Sequence, residues 1–279
     1  MKKPLLTAMC IGTIFCMSAQ TVIFEEDFEW LEPWSSQKPA GQTVETDNPK
    51  ATAQQIGTNK VDEVSTYEAL IAKGYRFPIC CAEGFEPREA RQQIYLQRNY
   101  LKFGLTGYYS GITFPALAEM PDNATTTISF DWCSQRQVED RWAGHWDKTE
   151  LVIVVENNDA DEYFYVPTHS YSVDEAYAWL PVTIDLGTCV NKDSKITIRN
   201  ADGQWPAPLN EDGTGRAFRW FLDNVKITYK PITTAVEDIA VDSDTPAEYY
   251  TLQGTRIINP ENGLYIVRQG NSVRKTVIK

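Results

Sequence analysis

Phe218-Arg219-Trp220-Phe221-Leu222-Asp223-Asn224-Val225-Lys226-Ile227-Thr228-Tyr229 changes strand phase in mid-run. Phe218, Trp220 and Leu222 occupy even positions, whereas Val225, Ile227 and Tyr229 occupy odd ones. Successive strand side chains point to opposite faces, so one apolar face survives this run only if a residue is inserted near Asp223-Asn224. A β-bulge or kink is predicted there.

The same alternation recurs upstream. Ile128, Phe130 and Trp132 share a face opposite Ser129 and Asp131. Val182, Ile184 and Leu186 alternate, as do Ile196 and Ile198. Leu151 to Val155 is a continuous, β-branched-rich run, which suits a strand covered on both sides. In the opening segment Phe24, Phe28 and Trp30 point one way and Glu25, Asp27 and Glu29 the other. Trp30, Trp132 and Trp220 fall on apolar faces and read as core. Helix signals are few. Ser65 to Lys73 has an N-cap serine, Glu68 at the capping-box position and Gly74 as its stop. Pro87 to Gln97 is predicted as a second short helix, with Pro87 in its first turn. Short strands separated by Gly, Pro, Asn and Asp turns argue for an all-β sandwich, with the helices in an insertion after the first strand. Lys230-Pro231 and the acidic stretch that follows set off a small β tail.

The N-terminus has the pattern of a secretory leader. Lys2 and Lys3 precede an apolar run from Leu5 to Met17, and Ser18-Ala19 offers small residues for cleavage before Gln20. Met9 and Phe15 precede Cys10 and Cys16, which does not fit a lipoprotein signal. The expected organisation is therefore a leader over 1–19, a β-sandwich over 20–230 and a C-terminal β domain over 231–279. Loss of Lys2 and Lys3 with the leader takes the net charge from −12 to −14. Such a surface repels phosphate backbones and anionic head groups, so nucleic acid is excluded as a partner. No later stretch is long and apolar enough to be a transmembrane span. Cys80, Cys81, Cys133 and Cys189 remain after processing, either as disulfide partners of open connectivity or as buried thiols.

Two resemblances add to this reading. Phe24-Glu25-Glu26-Asp27-Phe28-Glu29 with Pro33-Trp34, Thr127 to Trp132, Leu180 to Leu186 and Arg219 to Ile227 resemble strands of the jelly-roll modules in secreted Bacteroidetes proteins, of the choice-of-anchor and cleaved-adhesin type. The 45–109 region departs from that pattern and reads as an insertion. In the tail, Leu252-Gln253-Gly254 and Gly263-Leu264-Tyr265-Ile266 resemble strand positions of the C-terminal sorting domain used by type IX secretion. That resemblance implies export to the cell surface or medium, with the outer-membrane secretion machinery as a partner.

Candidate chemistry is sparse. Glu25, Asp27 and Glu29 would place carboxylates about 7 Å apart on one strand face, and a similar E-x-D-x-E array occurs in jelly-roll glycoside hydrolases. Nothing marks a raised-pKa acid among them, and no catalytic residue is assigned. Glu26, Asp27 and Asp223 are the candidate ligands of a structural Ca²⁺ where first and last strands meet, as jelly-roll carbohydrate-binding modules often show. His145 and His169 have no partner motif for a Cys/His pair with Cys80 or Cys81. Trp142 and Trp146 lie in the polar loop Gln135 to Lys148, and Trp205 in the loop Asn200 to Gly215. With Arg141 they are the candidate ligand-binding residues, since loop aromatics beside polar groups can stack sugar rings. The expected function is non-catalytic binding or adhesion, with a glycan or host or cell-surface ligand. A secreted glycosidase or peptidase and a purely structural surface protein are the alternatives.

Overall fold

The structure is a computed structural model that describes residues 20–34, 54–56, 60–61, 63–97, 99–136, 145–158, 160–173, 175–207, 209–211, 213, 215–232, 246–270 and 272–278. The proposed leader lies outside the described residues. The chain divides into two compact units, Met1–Ile232 and Thr233–Lys279. The first is a β-sandwich. Its larger sheet runs, in spatial order, Leu180–Gly187, Ala124–Ser134, Trp220–Pro231, Tyr100–Phe103, Ile94–Gln97 and Gln54–Gln55, and Thr21–Glu26 also pairs with Trp220–Pro231. The smaller sheet runs Asp161–Tyr165, Leu151–Glu156, Lys195–Asn200, Ile112–Thr113.

The phase change in the closing strand is a register shift. Lys226 opposes Ser129 and Asp223 opposes Asp131, so Asn224 is the extra residue, and its φ of 50° is left-handed. The bulge also marks a change of neighbour. Trp220, Phe221 and Leu222 pair with Phe103, Lys102 and Leu101, whereas Val225 to Tyr229 pair with the Thr21–Glu26 strand. Both halves keep an apolar inner face: Trp220, Leu222, Val225 and Ile227 are fully buried. They meet Ile128, Phe130 and Trp132 of their own sheet and Leu151, Ile153, Val155, Ile196 and Ile198 of the other in one core. Trp220 stacks on Phe103 with ring centroids 4.3 Å apart.

Among the described residues Thr66–Ala72 is the one α-helix, and its capping box is formed: Ser65 Oγ accepts from Glu68 N at 3.2 Å and Glu68 accepts from Ser65 N at 2.9 Å. The second helix is absent. Pro87 to Gln97 holds a 3₁₀ turn at Ala90–Gln92 and then the strand Ile94–Gln97. Ile94 and Leu96 are fully buried in the core while Tyr95 stays at the surface, a period of two that the sheet satisfies and a helix would not. The predicted insertion thus supplies part of the larger sheet. The opening segment also differs from its expected alternation. Its strand ends at Glu26, Phe28 takes φ 54°, and Glu29–Trp34 is 3₁₀, so the Glu25, Asp27, Glu29 array does not continue along one strand.

The second unit is a four-stranded antiparallel sheet, in order Arg256–Ile257, Glu248–Tyr250, Gly263–Gln269, Ser272–Ile278. Gly254 turns at φ 85° between the first two in the chain. Val267 is its one buried side chain among the described residues. Among the described residues no helix is long and apolar enough to cross a membrane.

Candidate functional site

The outer face of the smaller sheet carries two exposed aromatics, Tyr163 and Tyr165. Strand Asp161–Tyr165 alternates, sending Phe164 to the core and Tyr163 and Tyr165 outward, where they are 44% and 61% exposed. Directly opposite residues share a face. Tyr165, Val152 and Arg199 therefore form one row across three strands, and Tyr163, Val154 and Thr197 the next. Thr113 extends the second row, with its Oγ1 2.7 Å from that of Thr197. Val152 and Val154 are buried between the flanking side chains.

A polar chain continues the tyrosine row. Tyr165 Oη lies 3.5 Å from Asp202 Oδ2, and Arg199 Nη2 donates to Asp202 Oδ1 at 2.7 Å. The Arg199 guanidinium lies over the Trp205 ring, 5.3 Å from its centroid. Gly111 is needed beneath this row, since a Cβ there would meet Ile198 O at 2.5 Å and Arg199 Cβ at 2.7 Å. Trp205 packs partly against Ala82, Tyr109 and Ala207, so one edge of the platform is anchored in a small apolar cluster. Two stacking rings followed by a carboxylate, a guanidinium and an indole form a surface that can bind a ligand with apolar faces and hydroxyl edges. Tyr163, Tyr165, Arg199 and Asp202 were absent from the residues singled out by sequence. The alternation in Asp161-Glu162-Tyr163-Phe164-Tyr165 is the signal that points to them.

Trp146 lies elsewhere. Its ring stacks on Tyr171 at 4.2 Å and 13°, meets Tyr177 edge-on at 4.9 Å, and its Nε1 donates to Ser172 O at 2.9 Å. These residues, with Trp179, cover Tyr100, Cys133 and Phe221 on the outer face of the larger sheet. Trp146 is thus packed beneath a loop, and the structure does not bring it into one cluster with Trp205. Trp142 and Arg141 lie outside the described residues. Trp146 does border an open cleft of about 410 Å³, with His145, Lys148, Glu150, His169 and Tyr171 among its lining. His169 Nε2 is 2.6 Å from Glu175 Oε1. The Ser172 N–H and His169 hold the Glu175 carboxyl below the usual carboxylate range.

The acidic candidates Glu26, Asp27 and Asp223 each accept hydrogen bonds from the chain itself. Glu26 is buried and already accepts from Phe28 N at 2.7 Å, from Trp30 Nε1 at 3.0 and 3.1 Å, and from the Tyr75 hydroxyl. Asp27 is exposed and accepts from Glu29 N, and Asp223 is buried and accepts from Asn224 N at 2.8 Å. Burial, with the Asp131, Asp27 and Glu29 charges nearby, pushes the Asp223 carboxyl up to about 7. The described residues contain no group of three or more His, Cys, Asp or Glu side chains that could hold a metal ion.

Cys80, Cys81, Cys133 and Cys189 are free thiols. Cys80 packs with the Tyr109 cluster, whereas Cys81 Sγ donates to Phe85 O at 3.4 Å. Burial pushes the Cys80 and Cys133 thiols up to about 12, the wrong direction for a nucleophile.

No family model and no curated protein matches the chain. Solved structures do. A variant of a family 29 carbohydrate-binding module aligns over 56% of this chain and 81% of its own, with 17% identity and a TM-score of 0.31. The K1 cleaved adhesin domain of Lys-gingipain from Porphyromonas gingivalis aligns over 56% and 85%, with 14% identity and a TM-score of 0.28. The CBM22-1 and GH10 modules of an endo-1,4-β-D-xylanase 10B from Clostridium thermocellum, in complex with xylohexaose, align over 61% of this chain and 28% of that one, with 11% identity and a TM-score of 0.29.

Proposed function

We propose that this chain is a non-catalytic binding or adhesion protein that holds a glycan on the outer face of its smaller sheet. The observation that carries the reading is the pair of outward tyrosines, Tyr163 and Tyr165, in line with Asp202, Arg199 and Trp205. Tyrosine rings offer flat apolar faces for the C–H surfaces of a sugar, and the Arg199–Asp202 pair offers a donor and an acceptor for hydroxyls. Both partners of that pair are held in place before a ligand arrives, which lowers the ordering cost of binding.

The finer reading is export. The leader over 1–19 and the sorting resemblance of 231–279 support a secreted or surface-displayed protein carried by type IX secretion, with the tail as the segment the machinery reads. Deleting 233–279 and following the body between cell fractions tests that route; unchanged export of the truncated chain would refute it.

Affinity electrophoresis of the full chain through a panel of neutral polysaccharides tests the binding reading. Retardation by at least one polysaccharide is expected, with loss in Tyr163→Ala/Tyr165→Ala and a weaker loss in Trp205→Ala. Retardation by none, or retardation unaltered in the double variant, would overturn it.

A further inference from the structure

Both histidines of the chain, His145 and His169, border the open cleft of about 410 Å³ beside Trp146, although they stand well apart in sequence. The lining is tied down from behind. Along Asp147 to Glu150 burial alternates, with Asp147 and Thr149 buried and Lys148 and Glu150 exposed. Asp147 accepts from Arg219 Nε at 2.7 Å and from Arg219 Nη2 at 3.0 Å, and Thr149 Oγ1 donates to Arg219 O at 3.0 Å. Gln204 holds the backbone between them: its Nε2 donates to Lys148 O at 2.7 Å and its Oε1 accepts from Glu150 N at 3.0 Å. The other stretch of lining, Thr168 to Val173, is fixed through Tyr171, whose Oη accepts from Ser134 N at 3.0 Å and whose ring stacks on Trp146. His169 meets the Tyr171 ring edge-on at 4.4 Å and pairs with Glu175.

These ties decide what the cleft offers. Asp147 accepts from Arg219, and Glu175 from the Ser172 N–H and His169, so both carboxylates serve the protein itself. Lys148 and Glu150, two residues apart, bring opposite charges into the lining. An ammonium only donates and takes an anionic group, whereas a carboxylate only accepts and takes hydroxyls. The two imidazoles add further polar atoms, and the Tyr171 ring adds an apolar edge. A ligand that meets all of these carries one acidic group and several hydroxyls on a small ring with an apolar face. The volume lies within the range of about 300–1,000 Å³ usual for small-ligand pockets. We propose that this cleft is a second binding site, separate from the tyrosine face, for a single uronic acid unit, with its carboxylate on Lys148 and its ring hydroxyls on Glu150 and the imidazoles. Both stretches of lining are anchored before a ligand arrives, so little ordering cost opposes binding. The chain's net charge of −12 does not forbid an anion there, since distant charges are screened beyond about 8 Å at physiological salt.

The histidines are also the reporters, since the chain has no others. Titration of the untagged full chain with sodium glucuronate, glucose and sodium acetate at constant pH, followed by the ring signals of isotopically labelled histidine, tests the site. Glucuronate is expected to move both histidine signals to saturation. Glucose, which lacks the carboxylate, and acetate, which lacks the ring, are each expected to bind at least about tenfold more weakly. Lys148→Ala is expected to weaken glucuronate about tenfold, as loss of one charge-assisted hydrogen bond would. Lys148 is exposed, so this variant is expected to keep the wild-type thermal midpoint. Tyr163→Ala/Tyr165→Ala is expected to leave the titration unchanged, which separates a failure of the cleft from a failure of the tyrosine face. Histidine signals indifferent to glucuronate, or moved as readily by glucose or acetate, would overturn the proposal. So would unaltered affinity in Lys148→Ala, or loss of the shift in the tyrosine double variant, which would make the two sites one.

Discussion

The two outer faces of the sandwich are built from the same kind of alternating strand, yet they end differently. On the larger sheet, Tyr100, Cys133 and Phe221 face outward and are covered by Trp146, Tyr171, Tyr177 and Trp179 from crossing loops. On the smaller sheet, Tyr163 and Tyr165 face outward and remain open. The richer set of aromatics is structural, and the sparser one is available. Aromatic content therefore says little about binding until the segments that cross each face are known.

The strongest way to break this contrast is through the loops that close the covered face. Asp147→Ala leaves the Arg219 guanidinium, whose side chain is 14% exposed, without its carboxylate. A loss of about 3–5 kcal/mol in urea unfolding is expected; a loss below about 1 kcal/mol would mean the covering loop is not held there. Trp146→Ala removes the ring stacked on Tyr171 and is expected to cost roughly 2 kcal/mol, below the range for fully buried rings. Its retention on polysaccharide is expected to stay at the wild-type value. If stability holds and retention falls, the roles assigned to the two faces are reversed.

On the open face the pattern inverts. Tyr165→Ala is expected to leave stability within about 0.5 kcal/mol and to weaken glycan binding about tenfold, or 1.4 kcal/mol, measured by calorimetry. A pH-dependent effect concerns Asp223, at the bulge. Its folded pKa, near 7, lies above the ordinary carboxylate value of 3.8. The unfolded chain thus loses this proton first, and stability falls as pH rises from about 4 to 7. Asp223→Asn is expected to raise the thermal midpoint at pH 8 and to leave it unchanged at pH 4. An equal shift at both values would assign the effect to packing. Chelator treatment is expected to leave the wild-type midpoint where it is, because the Glu26 oxygens are already held by protein donors.

Much of the fold was legible because it rests on local periodicity. The closing-strand bulge, the capped helix at Thr66–Ala72 and the double-sided burial of Leu151 to Val155 all follow from patterns within a few residues. At Pro87 to Gln97 the proline points to a helix start, whereas the alternation of Ile94 and Leu96 with Tyr95 belongs to a strand, and burial in the core decides for the strand. The site was harder. Trp146 and Trp205 read alike in sequence, both on polar loops, and only the segments packed over them distinguish the two. Tyr163 and Tyr165 carry no mark of their own in the sequence, because tyrosines on a strand are ordinary until the strand proves to lie at an open edge of its sheet.

The change of neighbours along the closing strand also bears on the order of folding. Thr21 must find Tyr229, and Phe103 must find Trp220, before the larger sheet has its central member. Contacts this distant in sequence carry a heavy loop-closure penalty and slow the search for the native state. A chain halted anywhere before Trp220 holds Ala124–Ser134 and Tyr100–Phe103 with no strand between them, each presenting an unpaired edge. Closure is thus a late event that awaits the last stretch of the body, and until then the nascent chain is exposed to pairing with other copies of itself.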